Sequence, residues 1–154
     1  MKIKYLVLDV DGTLTDGRVY IGNQGEIMKS FDIKDGYGLA NLLPAKDITP
    51  IIITGRFSNI VDNRCKELHI TKVYQGITNK LEKLKSIFCE LKISPDEALY
   101  VGDDINDLDC MRYCGYCACP ADAIDCIKKN CDFVASKPGG RGAVREIIDW
   151  IIAK

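Results

Sequence analysis

Apolar residues follow two patterns along this chain. Short continuous runs recur at YLVLDV (5–10), TPIIIT (49–54), TKVY (71–74), ALYV (98–101), YCAC (116–119) and DFV (132–134). Runs of this kind, too short for helices and not alternating with polar residues, predict strands buried on both faces. Between them the spacing lengthens to three and four residues. Leu81, Leu84, Ile87, Phe88 and Leu91 place one apolar stripe on a helix starting near Thr78, and Val144, Ile147, Ile148, Ile151 and Ile152 repeat that stripe near the C-terminus. A further helix is expected from Ser58, as N-cap, to Leu68, with Ile60, Val61 and Leu68 inward. Buried strands alternating with helices predict an α/β fold: a doubly wound, Rossmann-like parallel sheet forming one domain over residues 1–154.

One segment breaks the alternation. Residues 18–31, RVYIGNQGEIMKSF, hold two strand-like pieces around Gly22-Asn23-Gln24-Gly25, which predicts a β-hairpin. With little beside it to pack on, the hairpin is expected to project.

In open α/β sheets ligands bind beyond the carboxyl ends of the strands, so the residues after each apolar run carry the candidate chemistry. Asp9, Asp11, Gly12 and Thr13 follow the first run, and Thr54, Gly55 and Arg56 the second. Gln75, Gly76 and then Lys80 follow TKVY, while Gly102, Asp103, Asp104 and Asp107 follow ALYV. Crowded carboxylates repel one another unless something neutralises them. A hard divalent cation does so, and Mg²⁺ takes one or two carboxylates while keeping waters and a phosphate oxygen. Lys80 and the Thr54 hydroxyl then suit the remaining phosphoryl oxygens, a set that points to phosphoryl transfer.

Charge and composition narrow the partners. The formal net charge is -1, so no global field draws the chain to nucleic acid or an anionic membrane. The apolar run at the start is interrupted by Asp9, which leaves neither a signal peptide nor a membrane span and predicts a soluble, cytoplasmic protein. Six of the 8 cysteines fall between Cys110 and Cys131. Cys114, Cys117 and Cys119 invite a zinc or redox reading. Their strand and helix spacing, with Cys110 and Cys114 at i, i+4, favours packing as small apolar side chains. His69 is expected at a helix end or on the surface.

DVDGTLTD (9–16), IIITGR (51–56), Lys80 in GITNK and GDDINDLD (102–109) resemble, in order, the four motifs of the haloacid dehalogenase superfamily. The resemblance implies that Asp9 is the nucleophile that becomes an aspartyl-phosphate. Asp11 would be the general acid and then the base, with Thr54 and Lys80 holding the phosphate. It further implies Mg²⁺ held by Asp9, the Asp11 carbonyl and Asp103, with Asp104 and Asp107 behind them or as alternate ligands. An acid two residues after the nucleophile favours a phosphatase over a pump that keeps its phosphoenzyme.

The spacing leaves no room for a cap domain. Hairpin, helix and sheet use up the stretch from Asp11 to Gly55, and one helix and one strand use up the stretch from Lys80 to Asp103. The hairpin and KPGGRGAVRE (137–146) are the expected cover. FDIKDGYGL (31–39), TGRFSNIVDNRC (54–65), YQGITNK (74–80) and GGRGAVRE (139–146) resemble the 3-deoxy-D-manno-octulosonate 8-phosphate phosphatases. That resemblance implies a homotetramer in which neighbouring subunits complete each site. It also implies contacts to an acidic sugar phosphate from Asp11, Asp32, Ile33, Lys34, Asp35, Gly36, Arg56, Arg64 and Lys80. Relatives acting on nine-carbon sialic-type acids carry Glu in place of Arg56, so the eight-carbon acid leads. Rival readings are a phospho-receiver domain, disfavoured because Lys80 precedes the GDD motif, and a zinc-binding interaction module.

Overall fold

The computed structural model describes residues 2–154. In chain order its elements are β1 (Tyr5–Leu8), β2 (Tyr20–Gly22), β3 (Gly25–Met28), α1 (Ile33–Tyr37), β4 (Thr49–Ile53), α2 (Asn59–Glu67) and β5 (Lys72–Tyr74). They continue with α3 (Lys80–Leu91), β6 (Ala98–Val101), α4 (Leu108–Tyr113), β7 (Tyr116–Cys119), α5 (Asp125–Lys128), β8 (Phe133–Val134) and α6 (Ala143–Ile152). Six strands form one sheet in the order β5-β4-β1-β6-β7-β8. Every pairing in it is parallel. The chain leaves β1 toward β4 and β5, then crosses to β6, so the strand order reverses beside β1 and opens a crevice at the carboxyl ends.

Successive side chains of each strand feed two separate cores. Leu6, Leu8, Ile52, Leu99 and Val101 pack with Val61 and Cys65 of α2 and Val144, Ile147, Ile148 and Ile151 of α6. Val7, Ile51, Ile53 and Tyr100 pack on the opposite face with Leu84, Ile87 and Phe88 of α3 and Met111 of α4. The doubly wound fold expected from the sequence is thus present, with no cap among the described residues. Cys110, Cys114, Cys117 and Cys119 are buried in the second core, where burial pushes the Cys110 thiol up to about 12. Cys110 and Cys114 pack as apolar groups, while the Cys117 thiol donates to the Asn130 carbonyl at 3.1 Å.

Several local expectations shift. On α2 the inward positions are Val61 and Cys65, while Ile60 is half-buried. Ser58 occupies the N-cap position but makes no capping bond, because its hydroxyl donates to Glu26. FDIKDGYGL contains α1, capped by Asp32, whose carboxylate accepts from the Lys34 and Asp35 amides. Its glycines hide the helix from propensity, yet closeness explains them: a Cβ on Gly36 would meet the Arg64 guanidinium at 2.3 Å and one on Gly38 would meet Ile148 at 2.9 Å.

The hairpin β2–β3 forms a two-stranded sheet of its own, with Ile21 opposite Glu26. Ile21, Ile27 and Met28 are exposed as expected, but the hairpin does not simply project. Its base turns inward, so that Lys29 meets Asp11 and Glu26 meets Arg56 behind the crevice wall. KPGGRGAVRE does not cover the crevice in this subunit either. It lies behind the loop after β1, where the Gly140 amide donates to the Thr13 carbonyl at 3.2 Å, and then begins α6. A Cβ on Gly139 would fall 2.0 Å from the Gly12 carbonyl oxygen. Gly139→Ala therefore forces that loop to move, and both the melting temperature and any turnover are expected to drop, checked by thermal melts and kinetics on one preparation.

Candidate active site

The end of β1 places the first carboxylate. The Asp9 amide donates to the Val101 carbonyl at 3.0 Å, and the Thr13, Leu14 and Thr15 amides all turn back onto the Val10 carbonyl. This tight turn swings Asp11 and Gly12 over the crevice. Gly12 has φ +87, and a Cβ there would sit 2.0 Å from the Asp103 carboxylate. Only glycine lets the two loops approach this closely.

Lys80 opens α3 and is buried. Its ammonium stands 2.9 Å from Asp9 Oδ2 and 2.8 Å from Asp107 Oδ1. Asp107 is 0% exposed and carries a full set of donors. The Tyr100 hydroxyl gives its bond to Oδ1, while the Asp103 and Asp104 amides give theirs to Oδ2. Asp107 thus organises the loop after β6 and holds Lys80 against Asp9. Burial works against a charged Lys80, but Asp9 and Asp107 outweigh it and raise its pKa.

Asp9 and Asp103 are in the opposite condition. Each has a buried Oδ1 with no hydrogen-bond donor. Ligand atoms of Asp9, Asp103 and Asp107 lie within 4.8 Å of one another. Burial first, then the Asp107 charge, pushes Asp9 up to about 6 against the pull of Lys80. Burial, with Asp9, Asp107 and Asp104 behind it, pushes Asp103 up to about 7. Unpartnered hard oxygens at this spacing, in a site that disfavours their charge, fit a hard divalent cation such as Mg²⁺. Asp9 and Asp103 are the side chains free to hold it, since hydrogen bonds already occupy both oxygens of Asp107.

Around these groups lies a cleft of about 270 Å³, lined by Asp9, Asp11, Gly17, Thr54, Gly55, Arg56, Lys80, Asp103, Asp104 and Asn106. Arg56 is 47% exposed and leans over it, 3.9 Å from Asp11 and 3.6 Å from Glu26. The other residues implicated by resemblance do not line the cleft. Asp32, Asp35, Gly36 and Arg64 border a separate apolar crevice with Leu39 and Leu68. The Asp35 carboxylate accepts from the Arg145 amide at 2.7 Å at the start of α6, while Arg64 binds Glu67 at 2.8 Å. Ile33 and Lys34 face outward, Ile33 being 81% exposed.

Two residues of this neighbourhood went unread in the sequence. Lys29 Nζ lies 2.5 Å from Asp11 Oδ1 and 2.9 Å from Glu26 Oε1. Ser58 and Arg56 complete the set around Glu26. Burial alone would raise Glu26, but the Ser58 hydroxyl, Lys29 and Arg56 hold it below its ordinary value. The signal available was a Glu and a Lys three apart on the returning strand of the hairpin.

Without a cation, Asp9 and Asp103 keep protons in the folded state that the unfolded chain releases near the ordinary carboxyl value of 3.8. Their contribution therefore turns unfavourable as pH rises from about 4 to 7. A divalent ion relieves that cost while competing with protons at lower pH. The rise in melting temperature on adding Mg²⁺ to chelator-treated protein should thus be larger at about pH 8 than at about pH 5.5, read by thermal melts.

Residues 51–148 match the haloacid dehalogenase-like hydrolase family. The 3-deoxy-D-manno-octulosonate 8-phosphate phosphatase KdsC of Escherichia coli K12 is 44% identical over 150 residues, covering 97% of this chain and 79% of the relative. The Yersinia pestis protein of the same name is 40% identical, covering 97% of this chain and 80% of its own. Among solved structures, the Moraxella catarrhalis phosphatase in complex with magnesium, phosphate and KDO superposes with a TM-score of 0.93 at 37% identity, covering 99% of this chain and 87% of that one. The cobalt-bound Haemophilus influenzae phosphatase gives 0.94 at 35% identity, covering 99% and 88%. This chain belongs to the haloacid dehalogenase-like hydrolases.

Proposed function

We propose that the chain hydrolyses 3-deoxy-D-manno-octulosonate 8-phosphate to the free sugar acid and inorganic phosphate. The observation that carries the reading is the buried Asp9–Lys80–Asp107 array beside an open cleft, in a chain 44% identical over nearly its whole length to phosphatases of that name. Asp9 is the nucleophile. Lys80 neutralises one of its oxygens at 2.9 Å and, with the Thr54 hydroxyl, receives the phosphoryl oxygens. As Asp9 attacks phosphorus, the bond from phosphorus to the sugar oxygen breaks, and Asp11 protonates the leaving alkoxide. Asp11 then takes a proton from the water that attacks the aspartyl-phosphate, which restores Asp9 and frees phosphate. Asp9, Asp103 and the Asp11 carbonyl would hold Mg²⁺, with Asp104 beside them. When bound, the ion offsets the charge of the phosphoryl oxygens and keeps Asp9 ionised.

Arg56 suits the acidic end of the substrate, because a guanidinium at the mouth of the cleft can bind a carboxylate through two parallel hydrogen bonds. Asp32 to Gly36 and Arg64 lie outside this cleft, so any contact they make with substrate belongs to an assembly. The exposed Ile21, Ile27 and Met28 of the hairpin support a homotetramer of this chain in which neighbours cover the open site. All eight cysteines are free thiols, which supports a reducing, cytoplasmic location. No helix among the described residues is long and apolar enough to cross a membrane.

Asp9→Asn should lower phosphate release from any phosphomonoester by a factor on the order of 10³ or more while the protein stays folded. Retained turnover would remove the nucleophile. A phosphate-release screen of eight- and nine-carbon keto-acid phosphates with Mg²⁺ should rank the octulosonate 8-phosphate first by kcat/KM. Light scattering should give about four times 17.1 kDa, and Ile21→Glu with Ile27→Glu should shift that mass downward. A wild-type monomer that still selects among sugar phosphates overturns the shared site.

A further inference from the structure

Lys29 is the most deeply buried cation at the hairpin base, with a side chain 1% exposed. An ammonium withdrawn from water in this way is costly unless carboxylates meet it. Two do: Asp11 Oδ1 at 2.5 Å and Glu26 Oε1 at 2.9 Å. Glu26 is itself gripped by the Ser58 hydroxyl at the start of α2 and faced by Arg56 at 3.6 Å. Lys29 thus ties β3 to the loop after β1, and Glu26 ties both to the loop after β4. It does not line the cleft.

The contact has a chemical consequence for Asp11. A side chain that gives a proton to one atom and later takes one from another needs a fixed orientation, because a displacement of about 1 Å costs about 10²-fold in rate. Arg56 stands 3.9 Å from Asp11 and is half exposed, so it fixes little. Lys29 lies closer and is immobilised from both sides. It occupies Oδ1, as a donor that either a carboxylate or the carbonyl oxygen of a protonated carboxyl accepts. The other oxygen, Oδ2, has Arg56 as its nearest cation, at 3.9 Å.

We propose that Lys29 is a positioning residue for Asp11, holding its carboxylate through Oδ1, and that Glu26 anchors it. The hairpin that presents Ile21 and Ile27 outward therefore also orients the acid-base group through its inward side. This rests on the reading of Asp11 as proton donor to the leaving alkoxide.

The test compares two leaving groups. A sugar alkoxide needs a proton as it departs, whereas p-nitrophenolate leaves without one, and kcat/KM reports events up to the first phosphoryl transfer. Lys29→Met should lower the ratio of kcat/KM for octulosonate 8-phosphate to that for p-nitrophenyl phosphate by roughly tenfold or more. Lys29→Arg should recover part of that ratio. In an Asp11→Asn background Lys29→Met should change the ratio less than twofold, because it acts through the group already removed. Should Lys29→Met fail to fold, Glu26→Gln reads the same ratio with the Asp11 contact retained, and is expected to lower it severalfold. Equal losses on both substrates, or equal losses with and without the Asp11 carboxyl, assign Lys29 a purely structural role and overturn the proposal. If wild type is inactive on the octulosonate phosphate, the substrate reading alone fails, and the ratio is then taken with whichever alkyl phosphate of the screen it hydrolyses.

Discussion

One buried ammonium carries the electrostatics of this molecule. Lys80 sits between Asp9 and Asp107 at hydrogen-bond distance from each. Removed from water, neither carboxylate would tolerate its charge alone, and the lysine would not tolerate its own. The array stands because Asp107 is fully donated to by Tyr100 and two backbone amides, so part of the cost of burying it is met by the loop after β6. What remains is an excess of acid over base at Asp9 and Asp103, and that excess makes the site a receptor for a divalent cation. The fold serves the same end. Parallel strands stop at one level, and the reversal of strand order beside β1 parts the flanking loops so that acids from β1 and β6 meet the lysine of α3.

Much of this architecture was legible because two-sided burial leaves continuous apolar runs that end where the chemistry begins. The YLVLDV run already marks Asp9 as the first polar side chain past a buried strand, and the same logic locates Thr54 and Asp103. Other features were hidden for physical reasons. α1 contains glycines that propensity counts as breakers, although contacts with Arg64 and Ile148 require them. Lys29 follows an exposed hairpin and reads as solvated, because its burial depends on a turn of the chain that only tertiary contacts reveal. Arg64 and residues 32–36 entered by resemblance, and within one subunit Arg64, Asp32, Asp35 and Gly36 border a different crevice while Ile33 and Lys34 face outward. Asp107 was expected behind the metal. Its saturated hydrogen bonding gives it a second duty as the clamp on Lys80.

The division of labour between the two cores is equally physical. The core facing α3 and α4 packs cysteines and a tyrosine directly behind the charged array, and Tyr100 sends its hydroxyl from that apolar layer to Asp107. The core facing α6 is aliphatic at its centre apart from Cys65, and it supports the loop after β1 through α6 and the turn before it.

That last contact has a temporal side. Gly139 and Gly140 lie flush against Gly12, Thr13 and Thr15, so segments far apart in sequence share one packed surface. During synthesis Asp9 leaves the ribosome early, but the wall that sets its loop emerges only after the rest of the sheet. The wall behind that loop is therefore completed late, when the turn before α6 docks, and a nascent polypeptide bearing every acidic motif still lacks the surface that packs against them.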